Sequence, residues 1–249
     1  MNKLTLKFLS HQTEMSLRVG KYDWRTRIQP TTPGYTNILI HTTGQLTPFT
    51  LKTPQGYIME NVFQSCKVLP SVPAQNDIKH QWSHPAEVHV DAQGNPTPEY
   101  WRWRQKVLSH RYPLRYPGGY HNRHNCLYSL VPASHPGPDT ITGPDGNPYM
   151  KLNYIQSRIH VYYPLYVNLA RQQPDFHALK ARLDAGENLQ INEVDGPRYT
   201  NSPPFHLVEN GSIPVTEEVV KQWLHNPIMP FGHASCLATA LLGHDDWII

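Results

Sequence analysis

Glu60, Gln64 and Lys67 recur at i, i+4 and i+7 in the segment ENVFQSCK. That spacing places an acid, an amide and an amine on one face of a helix. Such a row can orient a polar ligand and move a proton. Ile58, Val62, Phe63 and Cys66 form the apolar side, so the pattern predicts a short helix over residues 57–69. On spacing alone the plainer reading, a solvated polar face, is the stronger.

A second pair of acids, Glu193 and Asp195, sits two residues apart in INEVDGP. On a strand both point the same way, with Leu189, Ile191 and Val194 expected to point elsewhere. Two carboxylates at a strand's end, before a Gly-Pro stop, stand where ligand loops often begin; a solvent-facing strand edge fits as well. Gly232 and His233 open the segment GHASCLATALLG, where the free N–H groups of a helix start attract phosphate. Its small residues also describe a tightly packed helix, and both readings can hold together.

The segments EYWRWRQK and HRYPLRYPGGYHNRH interleave Arg102, Arg104, Lys106, Arg111, Arg115 and Arg123 with Tyr100, Trp101, Trp103, Tyr112, Tyr116 and Tyr120. Cations and rings together can hold phosphates and stack bases of DNA or RNA. The alternative is a core of aromatics with arginines lying over it. His121, His124 and Cys126 form a metal-like HxxHxC, but no second ligand cluster stands at a usual distance, so no metal site is expected. The chain has no P-loop, GxSxG, HExxH or dinucleotide GxGxxG.

These residues need elements to position them. LTLKFL, TNILIH and FTLKT read as strands, with PTTPGY as a turn before the second. YIQSRIHVYYPLYVNLARQQ reads as a long helix kinked at Pro164. PDFHALKARLDAG reads as a helix opened by Pro174 and closed by Gly186, and NLQINEVDGP as the following strand. VTEEVVKQWL is a helix capped by Thr216, and FGHASCLATALLG is the last helix. Residues 70–153 are rich in proline and glycine and hold one compact helix, PEYWRWRQKVLSH, with Pro98 in its first turn. They read as an insertion or lid on a single 1–249 domain whose core is 1–69 and 154–249.

An aromatic content of 10% argues against disorder. The three cysteines, Cys66, Cys126 and Cys236, are odd in number and far apart, which fits a reducing, cytoplasmic compartment and no disulfide framework. The N-terminal apolar run is too short and broken for a signal peptide, and no stretch reaches membrane-spanning length. A net charge of +3 permits an anionic ligand without requiring one.

PFTL followed by a glycine, then ENVFQSCK, resembles the signature of the NADAR superfamily, in which an acid, an aromatic, a glutamine and a lysine share one helix. Glu60, Phe63, Gln64 and Lys67 match its spacing. RIHVYYPLYVNLARQQPDFHALKARLDAGENLQINEVD is similar to the family's later segment of two helices, a glycine turn (Gly186) and a strand ending in Glu (Glu193). FGHASCLATALLG is similar in position to its closing helix. The likeness covers about half the chain, leaves the proline-rich middle unmatched, and lacks the family's Trp-Gly after the strand, where Asp195, Gly196 and Pro197 stand instead.

The resemblance implies an α+β fold that handles ADP-ribose-like or other ribosyl-nucleobase ligands without a cofactor, and N-glycosidic bond cleavage or exchange. Glu60, Lys67 and Asp195 are the expected catalytic residues. Phe63, Gln64, Glu193, Trp101, Arg102, Arg104, Gly232 and His233 are the expected ligand contacts. The alternatives are a module that binds such a nucleotide without turnover, and a nucleic-acid-binding protein that uses the basic aromatic insertion.

Overall fold

A computed structural model describes residues 16–73 and 86–248. The expected LTLKFL strand lies outside the described residues. The chain divides into two compact units: residues 16–47 with 163–248, and residues 48–73 with 86–162. The expected domain boundaries therefore differ from the observed ones. Residues 48–69 and 154–162, assigned to the core, fold with the insertion.

The chain begins with β1 (Leu17–Lys21) and β2 (Thr36–Leu39), which belong to the first unit. The second unit opens with α1 (Met59–Cys66), which runs into β3 (Lys67–Val68), β4 (Ser71–Pro73) and β5 (Ala86–Val88). Then come α2 (Pro98–Leu108), β6 (Tyr128–Pro132), β7 (Thr140–Thr142), β8 (Pro148–Leu152) and α3 (Tyr154–Ser157). A π-helical stretch, Arg158–Tyr162, leads into α4 (Tyr163–Ala170). Pro164 accounts for it: proline has no N–H, and its ring crowds the carbonyl one turn back, so the ladder widens there.

The second unit is no loop-like lid. Its sheet runs β3-β6-β8-β7, all antiparallel, with β4 and β5 as a separate ribbon. Val68, Leu69, Val72, Tyr100, Trp103, Val107, Leu114 and Leu130 form its core. Helix α2 supplies Tyr100, Trp103, Arg104 and Val107 to it, an i, i+3, i+4, i+7 face. Thr97 caps α2 by accepting from the Tyr100 N–H, and Pro98 takes the first position, where a missing N–H costs nothing. The strands were hidden because prolines such as Pro132 and Pro148 lie at their ends, where they read as loop.

The first unit resumes with α4 and continues through α5 (Pro174–Asp184), β9 (Leu189–Glu193), β10 (Ser212–Pro214), α6 (Glu217–Leu224) and α7 (His233–Leu242). Its sheet has the order β10-β1-β9-β2, with β9 parallel to both neighbours and β10 antiparallel to β1. All five β9 residues are buried. Helix α7 is buried from Ala234 to Leu241 and packs on β1, β9, α4 and α5. Small residues on every side let it approach them all. Helices and strands together make an α+β chain, and no described helix is long and apolar enough to cross a membrane.

Local punctuation falls as expected. Thr216 accepts from the Val219 N–H at 3.3 Å, and Gly186 follows α5 at φ +87°. Gly186→Ala should lower stability by about 1 kcal/mol, because a Cβ is strained in that left-handed region even though nothing crowds it. Chemical denaturation checks this; an unchanged midpoint would remove the conformational argument.

Candidate functional site

Helix α1 is shorter than its sequence pattern. It ends at Cys66, and Lys67 adopts extended backbone at φ −73°, ψ 129°. The cause is pairing: Lys67 and Val68 align with Ser129 and Tyr128 of β6. Lys67 is therefore not the third member of a helical row. Glu60 is buried, 8% exposed, rather than solvated. The Gln64 amide Nε2 donates to Glu60 Oε1 at 2.9 Å, so acid and amide do form a linked pair one turn apart. Phe63 is buried edge-on against Tyr162, their centroids 4.8 Å apart, and Lys67 Nζ lies 4.7 Å from the Phe63 ring centre.

Gln64 and Lys67 open onto a small, solvent-open cleft within the second unit. Its other walls are Leu69, Trp103, Arg115, Tyr116, Pro117, Gly118, Gly119, Asn122 and Arg123. Glu60 is not a wall residue and joins the cleft through Gln64. Fully buried Asn61, on the same helix, donates to the carbonyls of His110 and Tyr112 and accepts from the Leu114 N–H. This clamps the segment that delivers Arg115 and Tyr116. Sequence reading passes over Asn61 because an asparagine inside a helical pattern carries no signal until its loop partners are in place.

The arginines singled out on α2 do other things. Arg104 is buried, donates to the Tyr100 hydroxyl and the Leu130 carbonyl, and lies over the Trp101 and Tyr149 rings. It is a core cation satisfied by carbonyl and ring. Arg102 is exposed and pairs with Glu99 at 2.9 Å. Trp101 packs edge-on against Tyr100 and Tyr149. None of the three lines the cleft. Helical periodicity turns these side chains away from it while the following loop supplies Arg115 and Arg123.

In the first unit Glu193 is fully buried. The strand repeats every two residues, so Glu193 shares its face with Leu189 and Ile191 instead of pointing away from them. His233 Nδ1 lies 2.8 Å from Glu193 Oε2, and neither carboxylate oxygen has a hydrogen bond of good geometry. A Cβ on Gly232 would overlap that carboxylate, so glycine is what lets α7 begin there. The strand end and the helix start thus meet. Asp195 does not join them. It is exposed in the turn beyond β9, because the strand stops at Glu193. Gly196 lies against the backbone of Gly20 and Lys21, where no Cβ fits.

Lys21, paired in register with Glu193, is a further candidate that sequence reading missed. Its Nζ donates to the Val194 carbonyl. Burial and then Arg198 pull its ammonium below the usual lysine range, against the opposing pull of Asp195, Glu193 and Asp23. Nothing in the sequence near Lys21 marks it, since parallel pairing with a strand about 170 residues later brings the acids to it.

The expected site residues thus fall into two groups: Glu60, Phe63, Gln64 and Lys67 in the second unit, and Glu193, Gly232 and His233 in the first. Compared with family models, curated proteins and solved structures, the chain matches none.

Proposed function

We propose that the protein is an N-glycosidase-type enzyme that cleaves or exchanges the bond between ribose and a nucleobase, in an ADP-ribose-like nucleotide or a modified nucleic-acid base. The observation that carries this reading is the buried Glu60 carboxylate hydrogen-bonded to Gln64, which opens with Lys67 onto a small cleft. The resemblance of the same helix to the NADAR signature supports it.

In this reading the base leaves with the electron pair of the C–N bond as positive charge grows on the ribose. Water adds to the anomeric carbon and gives a proton to Glu60, which the Gln64 side chain must uncover, and Glu60 passes that proton to the departing base. The carboxylate charge behind the cleft wall also offsets the developing charge. Lys67 is placed to hydrogen-bond the leaving base or an anionic group of the ligand.

A second reading, a binding module without turnover, is supported by the burial of Glu60 and by its bond to Gln64, since orienting the amide is a sufficient role for a carboxylate so placed. Incubation with a panel of nucleotides and ADP-ribosylated substrates, followed by mass spectrometry, separates the two. Release of free base is expected. Ligands retained intact across the panel would leave the module reading.

A further inference from the structure

We propose that Lys67, Arg115 and Arg123 form a phosphate subsite in the cleft of the second unit, built by the insertion and suited to a phosphate or diphosphate group. This rests on the reading of that cleft as the ligand site and adds the kind of group it holds.

Charge comes first. Among the described residues three cations line the cleft and no carboxylate does. Residues 98–126 carry six lysines and arginines against one acid, Glu99, and that acid is paired with Arg102. Of the remaining polar wall residues, Gln64, Trp103 and Tyr116 carry groups that donate hydrogen bonds. The Trp103 indole N–H has no acceptor among the described residues.

Each cation is also held in place before any ligand arrives. Lys67 Nζ lies over Phe63. The Arg115 guanidinium lies over Phe49 and Tyr116, at 5.5 and 5.7 Å from the ring centres. Arg123 stacks on Tyr120 at 3.8 Å, and its Nη1 donates to the Tyr120 carbonyl at 2.8 Å. A guanidinium resting on a ring is held in one region, so less side-chain freedom is lost on binding an anion.

The loop that bears these groups is braced at both ends. Asn61 clamps residues 110–114, and the Asn122 Nδ2 donates to the carbonyls of Ser71 and Gly118. At Gly118 a Cβ would collide with Leu69, and Gly119 stands at φ +91°. The glycine pair therefore lets the main chain form the cleft wall with no side chain filling it. Three cations around one cleft suit a group presenting three oxygens and up to two charges better than a carboxylate presenting two oxygens and one charge.

The probes are inorganic phosphate, inorganic pyrophosphate and succinate, titrated calorimetrically into the full chain at low salt, with Arg115→Gln and Arg123→Gln alongside. At least one phosphate is expected to bind, and each variant should weaken it by about tenfold or more, as loss of a charge-assisted hydrogen bond does. The tighter of the two identifies a monophosphate or a diphosphate ligand. Succinate binding as tightly, no binding of either phosphate at millimolar concentration, or equal binding by both variants would overturn the subsite. Should a variant fail to fold, the Trp103 indole N–H resonance of the unaltered protein serves instead: it should shift on adding the phosphate, and an unmoved signal overturns the proposal. Phosphate binding without base release in the substrate panel would remove the glycosidase reading and leave the subsite standing. Base release undiminished in Arg123→Gln, with no phosphate bound, would do the reverse.

Discussion

Glu60→Gln should abolish base release while leaving the fold and ligand binding intact. Glutamine keeps the size of the side chain and an oxygen in the place of Oε1, so the Gln64 amide keeps its acceptor at about the same distance. What is lost is the negative charge and the basicity, the two properties needed to offset a ribosyl cation or to take a proton from water. Removing one such group costs on the order of a hundredfold or more in rate. The substitution also tests the positioning reading. If Glu60 only orients Gln64, the amide–amide contact suffices, and turnover on the substrate identified by the panel persists at close to its original rate. That result would sink the catalytic assignment. Glu60→Ala, which removes both charge and acceptor, should weaken ligand binding in either case, because Gln64 loses its anchor.

The second large effect concerns His89 and pH. His89 is fully buried between the Tyr100 and Trp103 rings, its ring centroid 5.8 and 5.1 Å from theirs, and neither ring nitrogen has a hydrogen-bond partner among the described residues. Burial pulls its pKa down to about 4, against a weaker upward pull from Glu99. The folded protein therefore holds the neutral ring, whereas the unfolded chain takes up a proton near pH 6.5. The favourable difference is fully present above about pH 6.5 and is lost as pH falls toward 4. The gap between the two values corresponds to up to about 3 kcal/mol. His89→Leu, which fills the same apolar space without a titrating group, should flatten the stability curve between pH 6.5 and 4. Urea denaturation at several pH values in that range reads it directly. Parallel curves for the two proteins would show that His89 contributes nothing to the acid limb.

Much of the local architecture was legible in the sequence because local chemistry dictates it. Thr216 accepts from an N–H three residues on, and Gly186 supplies a left-handed residue after its helix. Neither needs a distant partner. The bond between Glu60 and Gln64 follows from helical spacing in the same way. Lys67 departs from that spacing because β6, some 60 residues later, captures it as a strand residue. An extended backbone at Lys67 is as compatible with its side chain as a helical one, so only the partner decides.

Glu193 shows the same division. Its residue type, its place at the end of a strand and the glycine before the last helix are all readable from INEVDGP and PFGHASC. Its complete burial is not, because that requires β9 to lie between β1 and β2 with α7 packed over them. Asp195, two residues on, is exposed for want of one more strand pair.

The sequence by itself determined the α+β content, the helix caps, the acid–amide pair on α1 and the abundance of cations in the insertion. Each depends on neighbours within about one helical turn or on composition. Tertiary structure alone decided which cations reach the cleft. Arg102 and Arg104 share a helix, yet one lies in solvent and the other in the core, while Arg115 and Arg123 reach the cleft from a loop held by Asn61 and Asn122. The physical reason is that a side chain's role follows from what the folded backbone sets against it, and for these arginines those partners come from distant segments with no local signature.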